Sequence, residues 1–162
     1  MKTETVIEIK TLVNGVPHTS EVDVRLTIAE YVRDELGLKG TKTSCEMEVC
    51  GVCSVLVDGQ PVSACTALAV NLDGRELATI EGLAVRDVLS PLQQAFVETF
   101  ATQCGFCTPG FLMMGTALLA SNPNPTESEI VEYMDGNICR CTGYRPIVNA
   151  VLLAAERMKD LP

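Results

Sequence analysis

Eight cysteines in 162 residues, falling into two unlike groups, constrain this chain more than any other feature. Cys45, Cys50 and Cys53 stand in the run C-E-M-E-V-C-G-V-C, and Cys65 follows after eleven intervening residues. A C-x4-C-x2-C triplet with a distant fourth cysteine is the ligand spacing of a 2Fe-2S loop. Cys104 and Cys107 stand in Q-C-G-F-C-T-P-G, and Cys139 and Cys141 in N-I-C-R-C-T-G. Four thiols plus four suggest two clusters.

Three other uses of cysteine compete with this reading. Disulfides need an oxidising compartment, whereas M-K-T-E-T-V-I-E-I-K enters a strand pattern without an apolar stretch or a small-residue cleavage site. The expectation is therefore the cytoplasm. Structural zinc favours paired C-x2-C knuckles, which the C-x-C of Cys139 and Cys141 does not make. A catalytic thiol needs a base, and the single histidine, His18, lies in a turn-like V-P-H-T segment where solvation is the ordinary role.

Composition narrows the function classes. Twelve basic against twenty-one acidic residues give a net charge of -9, which argues against a nucleic-acid partner. No run approaches the roughly 20 apolar residues of a membrane span. With four Phe, three Tyr and no Trp, few aromatics remain to anchor an organic substrate, so substrate chemistry is expected on another chain. A chain of this length buries about 70% of its unfolded surface, enough for a core.

The first half alternates. Val6 to Val13 reads as a strand and Asn14-Gly15 as a hairpin turn, with Val22, Val24 and Leu26 continuing the pattern. Thr27 and Glu30 form a capping box for a helix carrying Ile28, Val32 and Leu36, which Gly37 stops. Ser54 to Val57 and Glu76 to Ile80 are further strands, and Asp58-Gly59 a turn. A small mixed sheet on one helix is the natural assembly.

The second half is helical and repeats itself. Ser90-Pro91 opens a helix with the stripe Leu92, Phe96 and Phe100 that runs into Cys104, and Thr108-Pro109 opens the next, ending before Asn122-Pro123. Thr126 and Glu129 cap a third helix running into Cys139, and Ile147, Val148, Val151, Leu152 and Ala155 form the face of the last. The unit of helix, cysteine pair and helix occurs twice. Packed about a local two-fold, two such units bring both pairs to one end of a four-helix bundle. Gly51, Gly105 and Gly143 are expected to let backbone amides approach cluster sulfur, unless each is a turn residue.

The runs C-G-V-C-S-V-L-V-D-G, Q-C-G-F-C-T-P-G and G-N-I-C-R-C-T-G-Y resemble the iron-sulfur subunit of the xanthine dehydrogenase family of molybdenum hydroxylases, over nearly the whole chain. The resemblance implies an α+β chain with two domains. Residues 1–82 form a β-grasp, plant-ferredoxin-like 2Fe-2S domain, and 83–162 a four-helix bundle holding the second cluster. It also implies that Cys45, Cys50, Cys53 and Cys65 ligate the cluster nearer the flavin, and Cys104, Cys107, Cys139 and Cys141 the one nearer molybdenum. Gln103 matches the glutamine that hydrogen-bonds the molybdopterin, and Cys141 lies close to the same pterin edge. The chain is then a wire between molybdopterin on a large subunit and FAD on a medium one, within a dimer of heterotrimers, and no residue of it is catalytic.

One departure stands out: Glu48 occupies a position where the family usually has glycine. If φ is positive there, the glutamate costs on the order of 1 kcal/mol, and its charge lowers the potential of the first cluster. The Pro109–Gly115 and Cys141–Pro146 segments are candidates for the face against the large subunit. A free-standing ferredoxin-like carrier and a zinc-stapled interaction module are the alternatives. For the substrate, the resemblance leans toward an N-heteroaromatic compound.

Overall fold

A computed structural model describes residues 5–86 and 88–159. Strands β1 (Val6–Val13) and β2 (Val16–Asp23) form the expected hairpin, antiparallel from Val6 opposite Asp23 to Val13 opposite Val16. The five-stranded sheet has the order β2-β1-β5-β3-β4, where β3 is Ser54–Val57, β4 is Gln60–Ser63 and β5 is Glu76–Ala78. β1 and β5 are parallel and the remaining pairs antiparallel, so the sheet is mixed. The alternation signal misses β4, because Pro61 interrupts it and the strand lies at the sheet edge, where proline costs no ladder bond. His18 is not in a turn: it lies in β2 opposite Thr11.

Helix α1 (Ile28–Glu30) begins with the expected capping box: Glu30 N–H donates to Thr27 Oγ1 at 3.2 Å, and Thr27 N–H donates to Glu30 Oε2 at 2.9 Å. It widens at once into a π-helical turn, Tyr31–Glu35, where Leu36 N–H reaches back to Tyr31 C=O at 3.0 Å. Ile28 and Val32 face a core that includes Ile9, Val13, Val22, Val55 and Leu77.

The second half holds four helices: α2 (Pro91–Glu98), α3 (Thr108–Ser121), α4 (Glu127–Met134) and α5 (Arg145–Met158). α2 packs on α5 and α3 on α4 around Leu92, Phe96, Phe111, Leu118, Ile130, Ile147 and Val151. Each such buried side chain contributes about 1.5–3 kcal/mol. Leu56 of β3 meets Met113 and Ala117 of α3, which joins the sheet to the helices. The whole is an α+β fold.

Several local expectations need correction. α2 does not run into Cys104; it stops at Glu98, and Phe100 takes φ +55. Phe100 therefore leaves the stripe and is 81% exposed. Thr108 is the first residue of α3 rather than its cap, which is Cys107. The Pro109–Gly115 segment is not an external face, since Phe111, Leu112 and Met113 are all buried.

Candidate metal centres

The 41–53 loop begins where the π-helical turn releases the chain, and Arg33 Nη1 holds it by donating to the Lys39 carbonyl at 3.3 Å and the Thr41 carbonyl at 2.5 Å. Its tip rises through two left-handed glutamates, Glu46 (φ +55) and Glu48 (φ +61), so the condition attached to the missing family glycine is met. Thr66 Oγ1, one residue past Cys65, donates to Glu48 Oε2 at 3.1 Å. Met47 and Val49 are exposed beside them.

The thiols of this group act on one another: Cys50 on Cys45, and Cys65 and Cys50 on Cys53. Backbone N–H groups of Met47 and Val49 pull the Cys45 thiol down to about 6, aided by Cys50. Burial pushes Cys53 up to about 12, and its neighbour Cys65 adds to the rise.

The four later cysteines act on one another across the helices: Cys139 and Cys104 on Cys107, and Cys104 and Cys139 on Cys141. Burial first, and then Cys139, pushes Cys107 up to about 12. The Cys141 thiol is raised chiefly by Cys104. Burial also raises Cys139, but hydrogen bonds from the Thr142 hydroxyl and N–H outweigh it, leaving that thiol lowered. A cavity of about 180 Å³ is lined by Cys104, Cys107, Cys139 and Cys141 together with Cys50. The two groups of thiols are therefore neighbours.

Tetrahedral zinc favours paired C-x2-C knuckles, which the C-x-C of Cys139 and Cys141 does not make. The donor set is all sulfur, with Cys53, Cys107 and Cys139 buried, which suits an iron-sulfur cluster in each group.

Three residues that spacing did not single out lock the groups together. Asn137, buried, donates from Nδ2 to the Gly51 carbonyl at 2.9 Å. Ile138 N–H donates to the Cys50 carbonyl at 3.0 Å. Gly110 lies against the same loop so closely that a Cβ there would sit 2.5 Å from the Gly51 oxygen. Gly51 itself (φ +65) leaves the space that the Asn137 amide fills. A glycine inside a helix is the available sequence sign of such an approach. Gly105 and Gly143 are also left-handed; a Cβ at Gly105 would meet Thr102 Cγ2 at 3.9 Å and one at Gly143 no protein atom within 4 Å. Gln103 is exposed beside Cys104.

Two family models match: a 2Fe-2S iron-sulfur cluster binding domain over residues 12–98 and a [2Fe-2S] binding domain over residues 79–152. The nicotine 6-hydroxylase small subunit of Paenarthrobacter nicotinovorans is 51% identical over 90% of this chain and 88% of its own. Caffeine dehydrogenase subunit gamma of Pseudomonas sp. (strain CBB1) is 46% identical over 86% of this chain and 85% of its own. In the crystal structure of quinoline 2-oxidoreductase from Pseudomonas putida 86, a chain 41% identical superimposes with a TM-score of 0.92, covering 96% of this chain and 98% of that one. Relatives of matching length are thus subunits of larger oxidoreductases, which sets aside the free-standing carrier. Two thiol quartets, two 2Fe-2S models and these full-length relatives agree, and the chain belongs to the iron-sulfur small subunits of the xanthine dehydrogenase family of molybdenum hydroxylases.

Proposed function

We propose that this chain is the electron relay of a molybdenum hydroxylase that oxidises an N-heteroaromatic compound. Molybdopterin with its metal sits on a large partner subunit and FAD on a medium one, in a dimer of heterotrimers in the cytoplasm. The substrate class is supported by relatives named for nicotine, caffeine and quinoline. Cys45 and Cys50 would hold one iron of the first cluster and Cys53 and Cys65 the other; Cys104 with Cys141, and Cys107 with Cys139, would divide the second in the same way. Residues 1–82 form the β-grasp, ferredoxin-like domain and 83–162 the four-helix bundle. When bound, such a cluster supplies one-electron uptake and release, at a potential set by charge, hydrogen bonding and exposure.

The observation that carries this reading is the bond from Ile138 N–H to the Cys50 carbonyl. Ile138 precedes Cys139, so one hydrogen bond joins a ligand residue of each quartet through the backbone alone. A single-cluster carrier has no use for it. Phe106 and Ile138, both exposed, line the cavity that holds Cys104 and Cys141, and offer the large subunit an apolar seat beside Gln103. Gln103 would then meet the pterin. Met47 and Val49, exposed on the first loop, face the flavin side.

Elemental and flavin analysis of the complex purified through this chain tests the reading. About four irons per copy, with molybdenum and FAD on two larger copurifying chains, are expected. Zinc, or iron on a solitary chain, would refute it. Cys65→Ser and Cys104→Ser should each remove one of two distinguishable 2Fe-2S resonance signals.

A further inference from the structure

The turn after Cys139 closes on itself. Cys139 N–H donates to the phenol oxygen of Tyr144 at 3.0 Å. Tyr144 N–H donates to Thr142 Oγ1 at 3.3 Å, and that hydroxyl donates onward to Cys139 Sγ at 3.0 Å. Thr142 N–H reaches the same sulfur at 3.4 Å. The threonine hydroxyl thus accepts with one side and gives with the other, an arrangement in which each bond polarises the next.

Tyr144 is held there at a cost. Its φ is +67, a left-handed conformation that an aromatic residue rarely adopts. The preceding Gly143 is also left-handed, so the backbone makes this turn with a second strained position that a glycine would relieve. What the tyrosine adds is a ring set edge-on against Phe111, with centroids 6.3 Å apart and planes at 70°, and the hydroxyl that receives Cys139. Strain retained where the surroundings over-determine it is a mark of function. Among the described residues Cys139 is the one cysteine whose sulfur takes a side-chain hydroxyl; the Val49 N–H that reaches Cys45 Sγ at 3.4 Å is a backbone donor.

We propose that Thr142 and Tyr144 are positioning residues: they clamp Cys139 and, through the hydrogen bonds to its sulfur, raise the reduction potential of the helical-half cluster relative to bare thiolate ligation. The inference rests on the ligand assignment proposed above. An electron entering the cluster adds negative charge to a centre already carrying four thiolates, and donors to sulfur stabilise the more negative, reduced form. If the turn only shaped the loop, removing the hydroxyl would leave the potential where it was.

The test is a redox titration of the complex purified with this chain, followed by electron paramagnetic resonance, for the parent, Thr142→Val, Thr142→Ser, Tyr144→Phe and Cys139→Ser. Cys139→Ser identifies which of the two signals belongs to the helical half. If it leaves both parental signals intact, the ligand assignment falls rather than the clamp. In Thr142→Val that one signal should show a reduced-to-oxidised ratio about tenfold lower at fixed potential, equivalent to about 59 mV for a one-electron couple. Thr142→Ser should match the parent. Tyr144→Phe should broaden the same signal and leave the line shape of the other unchanged. Coincident potentials in the parent and Thr142→Val, or an equal shift of both signals, overturn the clamp. If Thr142→Val does not retain iron, the line shape of Tyr144→Phe decides: an unbroadened signal overturns the proposal.

Discussion

The side-chain amide of Asn137 donates to the backbone carbonyl of Gly51 across 86 residues of sequence, at 2.9 Å. The bond ties the loop carrying Cys50 and Cys53 to the loop carrying Cys139. Asn137 is only 3% exposed, and the Gly51 carbonyl also accepts from Ser54 Oγ at 2.7 Å and Ser54 N–H at 3.2 Å, so replacing Asn137 with alanine removes one of three donors to it. The expected cost is about 0.5–1.5 kcal/mol. Denaturant unfolding of the holoprotein, followed by the visible absorbance of its clusters, should show a midpoint lowered accordingly, and an unchanged midpoint would mean that the bond carries no net energy.

Gly110→Ala should also destabilise, against the usual trend. Within a helix, alanine ordinarily gains about 0.5–1 kcal/mol over glycine. Here the added methyl would lie 2.5 Å from the Gly51 oxygen and 3.1 Å from the Val52 oxygen, and neither backbone atom can swing aside as a side chain does. The loop or the helix must move, at a cost of about 1–3 kcal/mol for overpacking. Thermal unfolding of the two proteins side by side settles the sign.

Glu48→Gly separates strain from charge. With φ at +61 the glutamate is strained, and glycine should recover on the order of 1 kcal/mol. The same change removes a carboxylate that is bonded to Thr66, the residue following Cys65. The first cluster should therefore become easier to reduce, since less negative charge opposes the incoming electron. A redox titration in which the glycine variant has an unchanged or lower potential would refute the electrostatic half of this expectation.

Phe100 should behave in opposite ways alone and in the complex. It combines a left-handed backbone with a ring that is 81% exposed, both unfavourable in an isolated chain. Phe100→Gly is expected to raise the unfolding midpoint of the separate subunit by relieving about 1–2 kcal/mol of strain. It should also weaken retention of the large subunit, if the ring is an anchor on that side. Copurification yield at graded salt is the measurement, and undiminished retention would exclude Phe100 from the interface.

Much of this protein is decided by short-range pattern. Both cysteine groups, the Thr27 and Thr126 capping boxes and the Asn14-Gly15 hairpin are local, because a cap joins a side chain to an amide three residues away and a turn closes over two residues. The structure has the two caps and the hairpin where the pattern puts them. It differs where a distant partner outweighs local preference. Phe100 fits the α2 stripe by spacing, yet the helix ends two residues before it and the ring turns out to solvent. The Pro109–Gly115 segment looks free as a sequence, but the sheet and the other helices cover it, with Leu56 against Met113. The approach of Gly110 and Asn137 to Gly51, the bond from Ile138 to Cys50 and the return of Tyr144 to Cys139 have no signature in spacing. They exist only once two separately patterned halves have packed. The cysteine spacing is thus written locally in the chain, while the approach of the two cysteine groups and the hydrogen bonds reaching their sulfur are set by tertiary contacts, because those depend on which surfaces meet.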